Sequence, residues 1–215
     1  MRKFQVLVIL TLALSAALAF GGPNGKSNRP VDIGAIVMSM PKGDLSDEEI
    51  AGISEMIEEE KLARDVYLKL YEMWGIPVFE RIAESEQIHM NALKALIEKY
   101  GLENPVADLK EGEFKTEKFQ ELYAELVEKG SKSLEDALNV GAEIEKLDIA
   151  DLEEKLEKTD NADVKFVYER LKNGSENHLE SFNRLLGNGT SVIGRRMGRA
   201  GSGKPRRGNR GRRGR

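Results

Sequence analysis

The sequence predicts an all-α chain: an antiparallel bundle of four long helices, with one short extra helix between the second and third. Three observations carry this. Charged residues make up 33% of the 215 residues and aromatics only 6%, the composition of long helices rather than sheets. Apolar residues recur at three- and four-residue spacing, and no stretch alternates with the two-residue period of a strand. Helix start and stop signals follow one another at intervals that suit short connections.

In chain order, Met1-Arg2-Lys3, an apolar run from Val6 to Leu18 and Ala17-Leu18-Ala19 form the parts of an export signal over residues 1–19. Val6 to Ala19 spans fourteen residues, short of the roughly 20 that a membrane helix needs. An exported protein, extracellular or at the cell surface, is therefore expected, with an uncleaved N-terminal anchor as the competing reading. Residues 20–44 are polar and rich in Gly and Pro, and read as a flexible linker.

The bundle is expected over residues 45–190. Ser46 and Glu49 form a capping box that opens the first long helix, which runs to Trp74. Gly75-Ile76-Pro77 stops it and starts the second, which runs to about Tyr100. A loop containing Pro105 and Gly112 leads to the short helix from about Thr116 to Lys129. Ser133 caps the third long helix, to about Lys158, and the fourth spans about Ala162 to Leu186.

Residues 191–215 read as a disordered Arg/Gly-rich tail, since Gly194 to Arg215 holds ten Lys/Arg and no acid. With those ten, Arg2 and Lys3 set aside, 21 basic residues face 37 acidic ones, a balance of −16. An acidic body with a basic tail suggests binding to an anionic surface, or solvation alone. Export, and the lack of interleaved aromatics, argue against nucleic acid as the partner. No cysteine is present, which excludes disulfides, thiolate catalysis and Cys-ligated zinc or iron–sulfur sites. The Glu/Lys richness also matches a thermophile.

The functional signal lies on the helix seams. At core spacing the first long helix presents Met56, Glu60, Ala63, Tyr67, Leu70 and Trp74, and the second Phe79, Ile82, Glu86, His89, Leu93 and Leu96. The third presents Leu138, Gly141, Glu145, Asp148 and Leu152, and the fourth Tyr168, Leu171, Ser175, His178 and Phe182. Each apolar seam is interrupted near its middle, and the two histidines of the chain both fall there. Glu58 and Glu59 lie off the stripe and read as solvated.

A lone Glu or His on a seam is ordinarily a satisfied core polar group. Several carboxylates converging in one layer would repel and stay protonated, unless cations compensate them. Glu60, Glu86, His89, Glu145, Asp148 and His178 supply four carboxylates and two imidazoles, a set that suits two metal ions. Glu86 and His89 stand at i and i+3, on one helix face. Asp148 has the alternatives of an ion pair with Arg64 or a local cap. Tyr67 reads as core packing, within reach of a ligating carboxylate.

The halves of the bundle echo each other. Glu60-Lys61-Leu62 matches Glu145-Lys146-Leu147, and Ser85-Glu86-Gln87-Ile88-His89-Met90 faces Gly174-Ser175-Glu176-Asn177-His178-Leu179. The counterpart of Glu86 is Ser175, a poor ligand; Asp148 is the candidate for the missing carboxylate and Glu176 the alternative.

With Glu60, Glu86-x-x-His89, Glu145 and His178, the chain resembles the ferritin-like superfamily of di-iron carboxylate proteins. The run Glu58-Glu59-Glu60-Lys61-Leu62-Ala63-Arg64-Asp65-Val66-Tyr67 and the two histidine segments more closely resemble the family called domain of unknown function 2202, from about Leu45 to Leu186. The superfamily resemblance implies a ferritin-like fold, two iron ions with manganese as the other choice, and chemistry with dioxygen or peroxide. Ser175 departs from the symmetric pattern. Three functions follow: a di-iron oxidoreductase of ferroxidase or peroxidase kind, a non-catalytic protein that sequesters or delivers metal, and a structural or adhesive bundle whose tail binds a surface. A homodimer is compatible with each, whereas the tail and export signal disfavour a storage cage.

Overall fold

The computed structural model describes residues 33–187; the export signal, the earlier part of the linker and the basic tail lie outside them. Among the described residues there are six helices and no strand.

The first helix, α1 (Ile33–Ser39), occupies a stretch read as linker. Its Val37 is fully buried, and Lys99 Nζ donates to Val37 O and Met40 O, both at 2.9 Å. Seven residues are too few to show a helical period, and so short a helix owes its order to docking rather than propensity.

The long helices follow the signals in the sequence. In α2 (Asp47–Trp74) the capping box is complete: Glu49 N donates to Ser46 Oγ at 3.1 Å and Ser46 N to Glu49 Oε2 at 2.9 Å. Gly75 ends α2 at φ 63°, which favours a residue without Cβ, and Pro77 opens α3 (Pro77–Tyr100). After α4 (Glu117–Gly130), Ser133 caps α5 (Leu134–Lys158), and α6 (Ala162–Gly187) closes the described chain.

Helix α2 packs on α3 and α5 on α6, and the two hairpins meet through α2 with α5 and α3 with α6. Side-chain contacts set the directions. Thr159, just past α5, donates to Glu49 near the start of α2, while Tyr67 far along α2 donates to Gly141 O early in α5. Lys99 at the end of α3 pairs with Asp163 at the start of α6, while Ser85 meets His178. Neighbouring helices are thus antiparallel. Consequently α3 ends at the opposite end of the bundle from the start of α5, and the 101–133 connection runs its length. Near the far end, Trp74 Nε1 donates to Gly130 O at 2.9 Å.

That connection corrects one expectation. Glu58 and Glu59, read as solvated, are only 2% and 8% exposed. Thr116 N donates to Glu58 Oε1 at 2.9 Å, and Lys61 Nζ reaches Asp65 Oδ2 at 2.5 Å and Lys110 O at 2.7 Å. The face of α2 turned away from the bundle seam is covered by the crossing segment rather than by water.

Buried apolar residues form two clusters. One contains Val66, Tyr67, Leu70, Phe79, Leu138 and Phe182; the other contains Ile53, Met56, Leu93, Leu96, Leu152 and Leu171. Along each long helix, the interrupted positions fall between them.

Candidate metal centre

The layer between the two clusters holds Glu60 from α2, Glu86 and His89 from α3, Glu145 and Asp148 from α5, and Ser175 and His178 from α6, all buried. Their spacing explains the convergence. On α3, i and i+3 share a face, so Glu86 Oε2 lies 2.6 Å from His89 Nδ1. Glu60 Oε2 reaches the same nitrogen from α2 at 3.1 Å. His178 Nδ1 lies 3.0 Å from Glu86 Oε1 and 3.5 Å from Glu145 Oε2.

Two groups result. Glu60, Glu86 and His89 each offer a ligand atom within 4.8 Å of the others, and so do Glu86, Glu145 and His178. Glu86 belongs to both, with one oxygen facing each imidazole. Although His178 Nδ1 and Glu86 Oε1 are close, neither has an aligned hydrogen-bond partner, and Glu60 Oε1 has none either. Buried polar atoms without a partner are rare and costly. A nitrogen–oxygen donor set of this kind suits iron, manganese or zinc, so the residues fit a metal ion.

The outer surroundings hold these groups in place. Tyr67 donates to Glu145 Oε1 at 2.6 Å, the contact with a seam carboxylate that its position allowed. Both imidazoles present Nδ1 inward and Nε2 outward. His178 Nε2 lies 3.0 Å from Ser85 Oγ, and the outer edge of His89 abuts Gly174, where a Cβ would stand 2.4 Å from its Nε2. Such partners set the orientation and tautomer of a ligating histidine. Ser85 and Gly174 escaped the sequence reading. The echo aligned Ser85 with Gly174, two small residues each four positions before its histidine, and that was the available signal.

Asp148 falls outside both groups. Ser175 Oγ donates to Asp148 Oδ2, and Asp148 Oδ1 has no partner. Arg64 does not pair with it; its guanidinium bonds Asp65 and Gln87. Glu176, the other candidate for the missing carboxylate, faces outward and pairs with Lys172 at 2.8 Å.

Electrostatics follow from burial and crowding. Burial pushes Glu60 up to about 8, with Glu86 adding to the rise and His89 opposing it. Burial likewise raises Glu145 to about 7, with the Glu86 charge adding to it. Burial alone would depress both histidines. Glu60 and Glu86 outweigh it at His89, which sits well above its usual value, and Glu145 and Glu86 carry His178 to about 10. Glu86 resists its own burial through the two imidazoles and falls to about 2. Without a metal, the layer thus crowds groups of raised proton affinity around the ionised Glu86, which both imidazoles face.

The imidazoles border the outside of the bundle. A cleft of about 400 Å³ between α3 and α6 is lined by Arg81, Ser85, His178, Ser181 and Arg184. Another, of about 470 Å³, is lined by Ser85, His89, Arg170, Gly174 and Asn177.

The stretch that holds this layer is also the stretch that matches known proteins. The profile of a family described as an uncharacterized protein domain, DUF2202, matches residues 49–196. The chain is 58% identical to the uncharacterized protein MJ0754 of Methanocaldococcus jannaschii over 152 residues, 71% of this chain and 82% of that protein. The crystal structure of hypothetical protein MJ0754 from Methanococcus jannaschii superposes with a TM-score of 0.69 at 59% identity, covering 70% of this chain and 86% of that one.

Proposed function

The chain belongs to this uncharacterized domain family, DUF2202, and from that premise we propose that it is an exported, ferritin-like protein whose central layer binds two metal ions, iron foremost, and couples ferrous oxidation to reduction of peroxide or dioxygen. One observation carries the reading: two buried Glu, Glu, His groups share the single carboxylate of Glu86. A lone structural ion would need one such group, and the sharing is what a bridged pair requires.

A bound pair of ferrous ions would supply two electrons, the number that reduction of a peroxide O–O bond consumes. The residues provide the rest. Glu60 with His89 and Glu145 with His178 would each hold one ion, Glu86 would serve both, and the surrounding apolar clusters exclude bulk water. Tyr67 holds its hydroxyl proton against Glu145 Oε1, fixing which oxygen remains free to ligate. The arginine-lined clefts beside the imidazoles offer a small oxidant an approach from the α3–α6 side. The Met1–Ala19 pattern supports action outside the cytoplasm, and the basic tail supports retention at an anionic surface.

Metal content of the full chain, loaded anaerobically with ferrous iron and measured by plasma mass spectrometry, is the test. Two irons per chain are expected, with one lost in His89→Ala and one in His178→Ala, followed by peroxide or oxygen consumption on exposure. Retention of no iron would overturn the reading. Two irons without turnover would leave a metal carrier instead.

A further inference from the structure

We propose that Glu59 and Asp148 hold a further divalent cation in a cavity between α2, α4 and α5, separate from the two groups around Glu86. This cavity, of about 160 Å³, is lined by Glu59, Asp148, Asp151 and Lys118 within an apolar frame that includes Leu62 and Leu126. At about 30 Å³ per water, it has room for an ion and about four waters.

Two carboxylate oxygens here have no partner: Glu59 Oε2 and Asp148 Oδ1. Their residues are 8% and 6% exposed, so water is nearly excluded from both. The second oxygen of Asp148 is occupied by Ser175, which turns Oδ1 away from that contact. Among the described residues no side-chain cation forms an ion pair with either carboxylate, although the charge of Lys155 acts on Glu59 from a distance. Lys118, which lines the cavity, pairs with Glu55 Oε1 at 3.0 Å, and Lys155 pairs with Glu55 Oε2 at 3.2 Å. Leaving two buried carboxylates uncompensated is costly, and a divalent ion removes that cost.

The chemistry selects the ion. Glu59, Asp148 and the half-buried Asp151 offer only oxygen, with no imidazole and no sulfur in the chain's reach at this point. All-oxygen sites with several waters suit manganese, magnesium, calcium or ferrous iron over zinc or copper.

The test is a Mn²⁺ titration of the full chain to about 1 mM, with free ion followed by electron paramagnetic resonance. Glu59→Gln, which preserves side-chain shape, should bind one ion fewer than the wild type. In a Glu86→Gln background, which removes the bridge of the central groups, one ion should remain and be lost when Glu59→Gln is added. Unchanged stoichiometry and affinity on Glu59→Gln in both backgrounds would overturn the proposal. An unchanged count on Glu86→Gln alone would instead count against the central pair, leaving the Glu59 result to decide this site.

Discussion

Tyr67 on α2 donates its hydroxyl to Glu145 Oε1 on α5 at 2.6 Å, joining residues 78 positions apart across the bundle core. Its ring is fixed between Phe79 and Phe182, with centroids 6.4 and 5.5 Å away. Position and hydrogen bond are therefore separable. Tyr67→Phe keeps the packing and removes only the donor. The expected outcome is metal affinity lowered about 10- to 100-fold at the Glu145–His178 position, with the Glu60–His89 position little changed. Competition titration against a chelator would check it, and equal loss at both positions would show that Tyr67 acts through the fold rather than through Glu145.

Gly174 makes a prediction whose sign opposes helix propensity. In a helix interior, Gly→Ala ordinarily stabilises by about 1 kcal/mol. Here a Cβ would lie 2.4 Å from His89 Nε2 and 2.6 Å from its Cε1, so the imidazole must move. Gly174→Ala is expected to lose the ion proposed at Glu60 and His89 while keeping most of the helicity. Circular dichroism alongside metal stoichiometry separates these, and full retention of both ions would refute the positioning role.

Much of this centre was legible in the sequence because bundle seams have a period. Glu60, Glu86, His89, Glu145 and His178 stand where apolar residues should, and the fold brings all five together. Helix ends were equally legible, since Ser46, Gly75, Pro77 and Ser133 act through local backbone chemistry. What escaped depends on contacts far apart in the chain. The burial of Glu58 and Glu59 needs the crossing segment, and α1 needs Lys99 on α3. Asp148 shared a seam with Glu145, but its direction is set by the hydroxyl of Ser175 on another helix, which no periodicity reports.

The crossing segment is latched at Asp65. This fully buried carboxylate accepts from Lys61 at 2.5 Å, from Arg64 at 2.7 Å and from Gly112 N at 2.9 Å. Removing one partner of a buried ion pair leaves the other uncompensated, at a cost of about 3–5 kcal/mol. Asp65→Ala should lose that much in urea unfolding. Hydrogen exchange should quicken most around Lys110 and Gly112, which lose the lysine and the acceptor respectively. Exchange quickening uniformly along the chain would argue against a local latch.

Glu49 sets an acid limit on the opposite end of the bundle. Burial alone would raise its pKa, but hydrogen bonds from Thr159, Asn161 and Ser46 outweigh it and hold the group at about 2 against an ordinary 4.5. A group depressed in the folded state contributes its stabilisation fully above its unfolded value and loses it as pH falls through the folded one. Glu49 should therefore stabilise above pH 4.5 and cease to do so as pH approaches 2. Glu49→Gln keeps an acceptor for Ser46 but not the charge, and should cost about 1 kcal/mol near neutrality, the scale of a lost cap. Central groups with raised values, such as Glu60, titrate alike in both proteins and cancel in the difference. Thermal unfolding of the pair from pH 7 to 2 should show the gap closing as acid is added. A constant gap would mean that Glu49 acts by shape, with its ionisation contributing nothing.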